Sequence, residues 1–192
     1  IGRTRGHKIR SHPDYLPHIR NNLLDFFVYL PPGTQIDGEI YSPELKFETI
    51  MSVFKTETSL HPLSNKVKYY IFDLILPQSM SYEDRYALLL SAYTRFREDG
   101  HVNEHFEILT FSLARSDADV QALHDQYIEQ GYEGAMIRKI SRPNPDDKSI
   151  ADSLYHSGRS ANLLKVKPFE DEEGIVVGVE EAKGTEVGAA DL

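Results

Sequence analysis

Lys165 and Lys167 stand two residues apart in Asn162-Leu163-Leu164-Lys165-Val166-Lys167-Pro168-Phe169. In a strand, alternation sends both ammonium groups to one face and Leu164 and Val166 to the other. An apolar back face would fix such a strand on a core, and two cations projecting together from a rigid element suit a phosphate. The plainer reading is a solvated lysine face of an antiparallel strand. Carboxylates stand at the ends of other strand-like runs: Glu133 before Gly134, and Asp37 and Glu39 in Ile36-Asp37-Gly38-Glu39-Ile40-Tyr41. Gly38 between two acids invites close backbone approach by a ligand, although an ordinary solvent face would read the same way. The run Tyr69-Tyr70-Ile71-Phe72-Asp73-Leu74-Ile75 could offer a ring to a base, but aromatic residues in a central strand are usually core.

Periodicity supplies the elements that must position these groups. Leu16, Ile19, Leu23, Phe26, Phe27 and Leu30 recur at near-helical spacing, with Pro17 in the first turn and Pro31-Pro32-Gly33 as a stop. Residues 34–41 alternate as a strand. Phe47, Ile50, Met51 and Phe54 form a short amphipathic stripe, expected to be core. Residues 67–76 read as a central strand ended by Pro77, and Ser81 with Asp84 caps a helix running to about residue 98. Residues 105–113 alternate as a strand. Ser116 and Asp119 repeat the capping pattern before a helix that Gly131 ends. Residues 134–140 form a strand, 141–152 a surface loop, and 174–179 a strand after the lysine strand. Strands and helices without strict alternation predict an α+β fold, two antiparallel sheets flanked by helices.

With 192 residues, 40% of them hydrophobic and 10% aromatic, the chain can bury a core. The length suits one domain over 1–170 and the start of a second over 171–192. The absence of cysteine excludes disulfides and Cys-ligated zinc. No apolar run approaches the roughly 18–20 residues of a membrane span and no signal-peptide pattern opens the sequence, so a cytoplasmic location without a membrane partner is expected. A net charge of −9 argues against a general nucleic-acid surface. Locally the balance reverses, because Arg3, Arg5, Lys8, Arg10 and Arg20 face only Asp14 in the first twenty residues. The opening Ile1 and the turn-like Gly184 and Gly188 near Leu192 give both ends the look of cuts through a longer chain.

Four of these stretches together resemble the nucleotidyltransferase family that includes ATP-dependent DNA ligases of phage and bacterial type. Ile36-Asp37-Gly38-Glu39-Ile40-Tyr41 is similar to motif III, and Tyr70-Ile71-Phe72-Asp73-Leu74-Ile75 to motif IIIa. Tyr132-Glu133-Gly134-Ala135-Met136-Ile137-Arg138-Lys139 is similar to motif IV and Leu163-Leu164-Lys165-Val166-Lys167-Pro168 to motif V. Each is short, but the four follow the family's order. Tyr155-His156-Ser157-Gly158-Arg159-Ser160 and Glu173-Gly174-Ile175-Val176-Val177-Gly178-Val179 extend the likeness over nearly the whole chain. The resemblance implies a ligase adenylation domain of nucleotidyltransferase, ATP-grasp-like fold, followed by the first strand of an oligonucleotide-binding (OB) domain. It implies a monomer working in the cytoplasm of a bacterium or phage-infected host, in DNA repair, replication or recombination. ATP would adenylate a lysine, AMP would pass to the 5′-phosphate of a nick in duplex DNA, and the 3′-hydroxyl would displace it. Lys165 and Lys167 would hold the α-phosphate, Glu133 a Mg2+ ion, Glu39 the ribose and Phe72 the adenine. Arg3, with Arg5 beside it, would meet the nick 5′-phosphate, although a Gly stands where the family has a Ser.

One family signature is missing from these residues. The nucleophile sits in Lys-x-Asp-Gly, whereas Asp37-Gly38 follows Gln35-Ile36 and Asp99-Gly100 follows Arg97-Glu98. A guanidinium stays protonated and does not replace the amine. RNA ligases and capping guanylyltransferases share the motif set, and a non-catalytic nucleotide-binding remnant or a plain structural domain would have different uses for the same fold. The 192-residue chain is therefore expected to remain unlabelled by α-labelled ATP, and a version extended through an upstream Lys-x-Asp-Gly to become labelled. Labelling of the short form would refute the missing-nucleophile argument.

Overall fold

Ile71, Leu74 and Phe106 are fully buried beneath Leu89, Ala92 and Phe96 of one helix and Phe26 of another. The strands and helices that bring them together follow in order in a computed structural model that describes residues 2–3, 9–10, 16–55, 60–140, 153–158, 160–167, 180–181 and 190–191. They are β1 (Gly2–Arg3), β2 (Ile9–Arg10), α1 (Pro17–Phe27), β3 (Gln35–Tyr41), α2 (Phe47–Lys55), β4 (Lys68–Ile75) and α3 (Tyr82–Glu98). After them come β5 (Phe106–Ile108), α4 (Asp117–Glu129), β6 (Ala135–Arg138), β7 (Leu163–Val166), β8 (Glu180–Glu181) and β9 (Ala190–Asp191).

Local chemistry sets the helix ends. Pro17 opens α1, where its missing N–H costs nothing, after Leu16 turns through the left-handed region at φ 42°. Ser81 accepts from the Asp84 N–H to start α3, and Arg95 and Arg97 in its last turn oppose the helix dipole. Ser116 and Asp119 close a reciprocal capping box on α4.

β4 is central in the larger sheet, ordered β3-β4-β5. β3 runs antiparallel to it but β5 runs parallel, so this sheet is mixed and not antiparallel as expected. The seventeen-residue α3 is the reason: a helical crossover between β4 and β5 returns the chain to the same end of the sheet. The register jumps from Asp37↔Asp73 to Gly38↔Ile71, leaving Phe72 as an extra, unpaired residue in a β-bulge of β4. The second sheet, β6-β7, is antiparallel. β5 is shorter than the alternation over 105–113, and Leu109, Phe111 and Leu113 beyond it are exposed. The α2 stripe is only partly core: Ile50 and Val53 are buried, whereas Phe47 is 66% exposed. Within the expected second domain β8 pairs with β9 and the strand expected over 174–179 lies outside the described residues, as does the loop expected over 141–152 in the first.

A buried ion cluster joins the two sheets. The Asp73 carboxylate, 2% exposed as a residue, accepts from Arg85 Nε at 2.8 Å and Nη2 at 2.9 Å, and from the Leu74 N–H at 2.7 Å. Arg138 of β6 completes it at 3.1 Å. Arg85 also donates to the carbonyls of Met80 at 2.6 Å and Ser153 at 3.1 Å. Both guanidiniums lie over the Tyr82 ring, Arg138 at 4.2 Å and Arg85 at 5.5 Å from its centroid. Removing Arg85 leaves the buried Asp73 charge undercompensated, with Arg138 as its remaining guanidinium. Arg85→Ala should lower the unfolding free energy by about 3–5 kcal/mol. Lys66→Ala, which breaks an exposed pair with Glu44, should cost under about 1 kcal/mol. Urea denaturation of both variants checks this, and similar losses would show that burial does not set the importance of the cluster.

Candidate functional site

Glu133 enters the site because Gly134 lets β6 start against the backbone of β7. Gly134 has φ 149°, and a Cβ there would lie 2.1 Å from the Val166 carbonyl oxygen. Only glycine fits that approach. Antiparallel pairing sets Ala135 opposite Val166 and Met136 opposite Lys165. Glu133 Oε2 then stands 2.9 Å from Lys167 Nζ and 3.4 Å from Lys165 Nζ. The Lys167 hydrogen bond and charge, with lesser help from Lys165, hold the Glu133 carboxyl below its ordinary value, and Glu133 raises Lys167 in turn. The favourable pairing therefore persists above the ordinary Glu value of 4.5 and fails as acid protonates Glu133. It persists below the ordinary Lys value of 10.5 and fails when Lys167 deprotonates in stronger base. All three side chains are open to solvent, 68% for Glu133, 53% for Lys165 and 52% for Lys167. Exposed pairs of this kind are weak. Two ammonium groups sharing one carboxylate keep an excess positive charge that an incoming phosphate can take up.

The other predicted residues stand on the larger sheet. Glu39 is exposed on β3 opposite Tyr70, whose ring lies 5.7 Å from that of Tyr41. Asp37 shares the Glu39 face by alternation, and its Oδ2 accepts from the Tyr155 hydroxyl at 2.8 Å. The Tyr155 hydroxyl is pushed far above its ordinary value by burial and by Asp37, so it stays protonated and donates. Gly38 answers a different need from the ligand approach its neighbours suggest. A Cβ at Gly38 would lie 2.3 Å from the Tyr70 carbonyl oxygen and 2.7 Å from the Tyr69 ring, so β4 itself takes the space. Phe72 is half-buried at the bulge, and its carbonyl accepts from the Tyr82 hydroxyl at 3.4 Å. A bulge re-aims side chains, which removes Phe72 from the strict alternation of the strand.

Arg138 relates the two groups. It lies on β6 opposite Leu163, two residues from Met136, so alternation gives it the same face as Met136 and Lys165. That face is turned toward β4, because Arg138 reaches Asp73 there. Asp73 in turn is the register partner of Asp37. The structure thus gathers Glu133, Lys165 and Lys167 into one group and sets Glu39 and Phe72 on the sheet that this group's strand pair faces. Arg3 falls in β1, whose side chains, like Arg5 altogether, lie outside the described residues. Among the described residues no cluster of three or more His, Cys, Asp or Glu could hold a metal by itself. A Mg2+ ion commonly uses one or two carboxylates and completes its shell with water and substrate phosphates, and Glu133 fits as one such ligand.

Sequence reasoning named Asp73, Arg138 and Tyr155 within family-like stretches but gave them no role, and it passed over Arg85. The signal was present for two of them. An Asp inside an apolar strand run and an Arg in the first turns of the following helix each need a partner if buried.

Comparison with known proteins shows the family of the chain. Residues 8–167 match the model of the ATP dependent DNA ligase domain. The DNA ligase of African swine fever virus, isolate Tick/South Africa/Pretoriuskop Pr4/1996, is 26% identical over 176 residues, covering 91% of this chain and 39% of that protein. The ligase of strain Badajoz 1971 is likewise 26% identical with the same coverage. The chain thus spans about two fifths of the length of these curated relatives. Among solved structures, a Lig E DNA ligase described as binding DNA with a minimal scaffold superposes with a TM-score of 0.66 at 26% identity, covering 98% of this chain and 63% of that one. The Chlorella virus DNA ligase-adenylate superposes with a TM-score of 0.61 at 25% identity, covering 86% and 54%. A domain match over most of the residues, with the same backbone arrangement in two DNA ligases, shows that this chain belongs to the ATP-dependent DNA ligase family.

Proposed function

We propose that the chain forms the nucleotide-binding part of an adenylation domain in an enzyme that seals 5′-phosphate/3′-hydroxyl nicks in duplex DNA. ATP would be the AMP donor, and the path would run through enzyme-AMP and DNA-adenylate. The observation that carries this reading is the Glu133, Lys165 and Lys167 group. Two exposed ammonium groups, Lys165 on β7 and Lys167 just past its end, held by a single acid, would form a receptor for an α-phosphate. Lys165 and Lys167 would stabilise charge growing on the phosphate oxygens as bonds to phosphorus change. Glu133 would supply the protein ligand of a Mg2+ ion, whose chemistry when bound is to neutralise charge on the phosphates. Glu39 would accept from a ribose hydroxyl and Phe72 would lie against adenine. Arg3 and Arg5 would meet the nick 5′-phosphate, and 171–192 would begin the OB domain.

The test is AMP binding to the 192-residue chain by calorimetry. Lys165→Ala and Lys167→Ala should each weaken AMP by about tenfold or more, the worth of a charge-assisted hydrogen bond. Gly134→Ala should weaken it as well, because the new Cβ would push β6 off Val166 and carry Glu133 away. Lys68→Ala, which breaks an exposed pair with Glu107, should leave AMP affinity unchanged. AMP binding that survives both lysine substitutions would defeat the proposal. If the longer enzyme sealed RNA-containing nicks in preference to DNA on both sides, the RNA ligase alternative would replace it.

A further inference from the structure

The segment leading into the lysine strand is fastened at two points. Ser153 is buried, and its carbonyl accepts from Arg85 at 3.1 Å. Two residues on, Tyr155 lies with its ring centroid 5.8 Å from the same guanidinium. Its hydroxyl crosses to the other sheet and donates to Asp37 at 2.8 Å. Asp37 stands two residues before Glu39 on the same strand face, and Tyr155 stands ten residues before Lys165. One hydrogen bond therefore links the strand carrying the ribose ligand to the segment delivering the phosphate ligands.

We infer that Tyr155 is a positioning residue for nucleotide binding: by donating to Asp37 it sets the spacing between Glu39 on β3 and Lys165 and Lys167 at β7. The inference rests on the nucleotide reading above. A ligand that spans both sheets needs that spacing, because a misplaced subsite forfeits part of the binding it would otherwise add. A ligand that touches only the lysines does not need it. Tyr155 would meet neither ring nor phosphate and would act through Asp37 alone.

AMP and inorganic pyrophosphate separate the two cases when titrated into the 192-residue chain. Tyr155→Phe keeps the ring beside Arg85 and removes only the donor. It should weaken AMP by about three- to tenfold, a fraction of the worth of a hydrogen bond to a charged group, and leave pyrophosphate unchanged. Asp37→Asn, whose amide oxygen still accepts, should retain most of the AMP affinity, and Asp37→Ala should weaken it about as much as Tyr155→Phe does. Tyr155→Phe combined with Asp37→Ala should be no worse than either alone. Unchanged AMP affinity in Tyr155→Phe would overturn the positioning role, as would equal losses for AMP and pyrophosphate, which mark general loosening. Lys165→Ala is the control for the underlying reading and should weaken both ligands. If it weakens neither, or if the unsubstituted chain binds no AMP, the nucleotide site itself is wrong and the role of Tyr155 falls with it.

Discussion

A carboxylate buried between two guanidiniums holds this structure together. Asp73 is withdrawn from water in the middle of β4, a position that would be ruinous for a lone charge. Arg85 covers both of its oxygens and Arg138 reaches one of them from the other sheet. The partners come from α3 and β6, and Arg85 continues to the Ser153 carbonyl beside the lysine strand's approach. Four separate parts of the chain thus depend on one acid. A hydrophobic contact would tolerate sliding, whereas bidentate geometry fixes direction as well as distance.

The exposed group at β6 and β7 is built on the opposite plan. Glu133, Lys165 and Lys167 are solvent-exposed, and their mutual attraction is screened. Its shape comes from the backbone: Gly134 permits an approach to Val166 that no side chain would allow, and the β6-β7 register then sets the lysine beside the acid. Rigid backbone with loosely paired charges is suited to exchanging one anionic partner for another. The buried cluster resists exchange, and the exposed group permits it.

The β-bulge at Phe72 connects these plans. With Phe72 left out of pairing, Asp73 and Tyr70 both follow the Asp37 and Glu39 side of the sheet while Ile71 and Leu74 both serve the core. A regular strand would have put Asp73 and Ile71 on one face. The extra residue thus lets one strand present a buried acid to the arginines and still supply apolar groups to α3.

The sequence by itself determined the helices, the caps of α3 and α4 and the central strand, because these follow from short-range periodicity and from residue types at fixed spacing, whereas the candidate roles of Glu39 and Phe72 came from the family resemblance. It also displayed Glu133, Lys165 and Lys167 as a carboxylate and two cations on strands. What it left open depends on neighbours distant along the chain. The parallel direction of β5 came from the α3 crossover, the exposure of Phe47 from where the core ended, and the close approach at Gly38 from the Tyr69 ring. The pairing of Glu133 with the lysines, of Asp73 with Arg85 and Arg138, and of Tyr155 with Asp37 was likewise decided by tertiary structure alone. Periodicity tells which face a residue takes, but the identity of the group across that face is fixed only when the sheets meet.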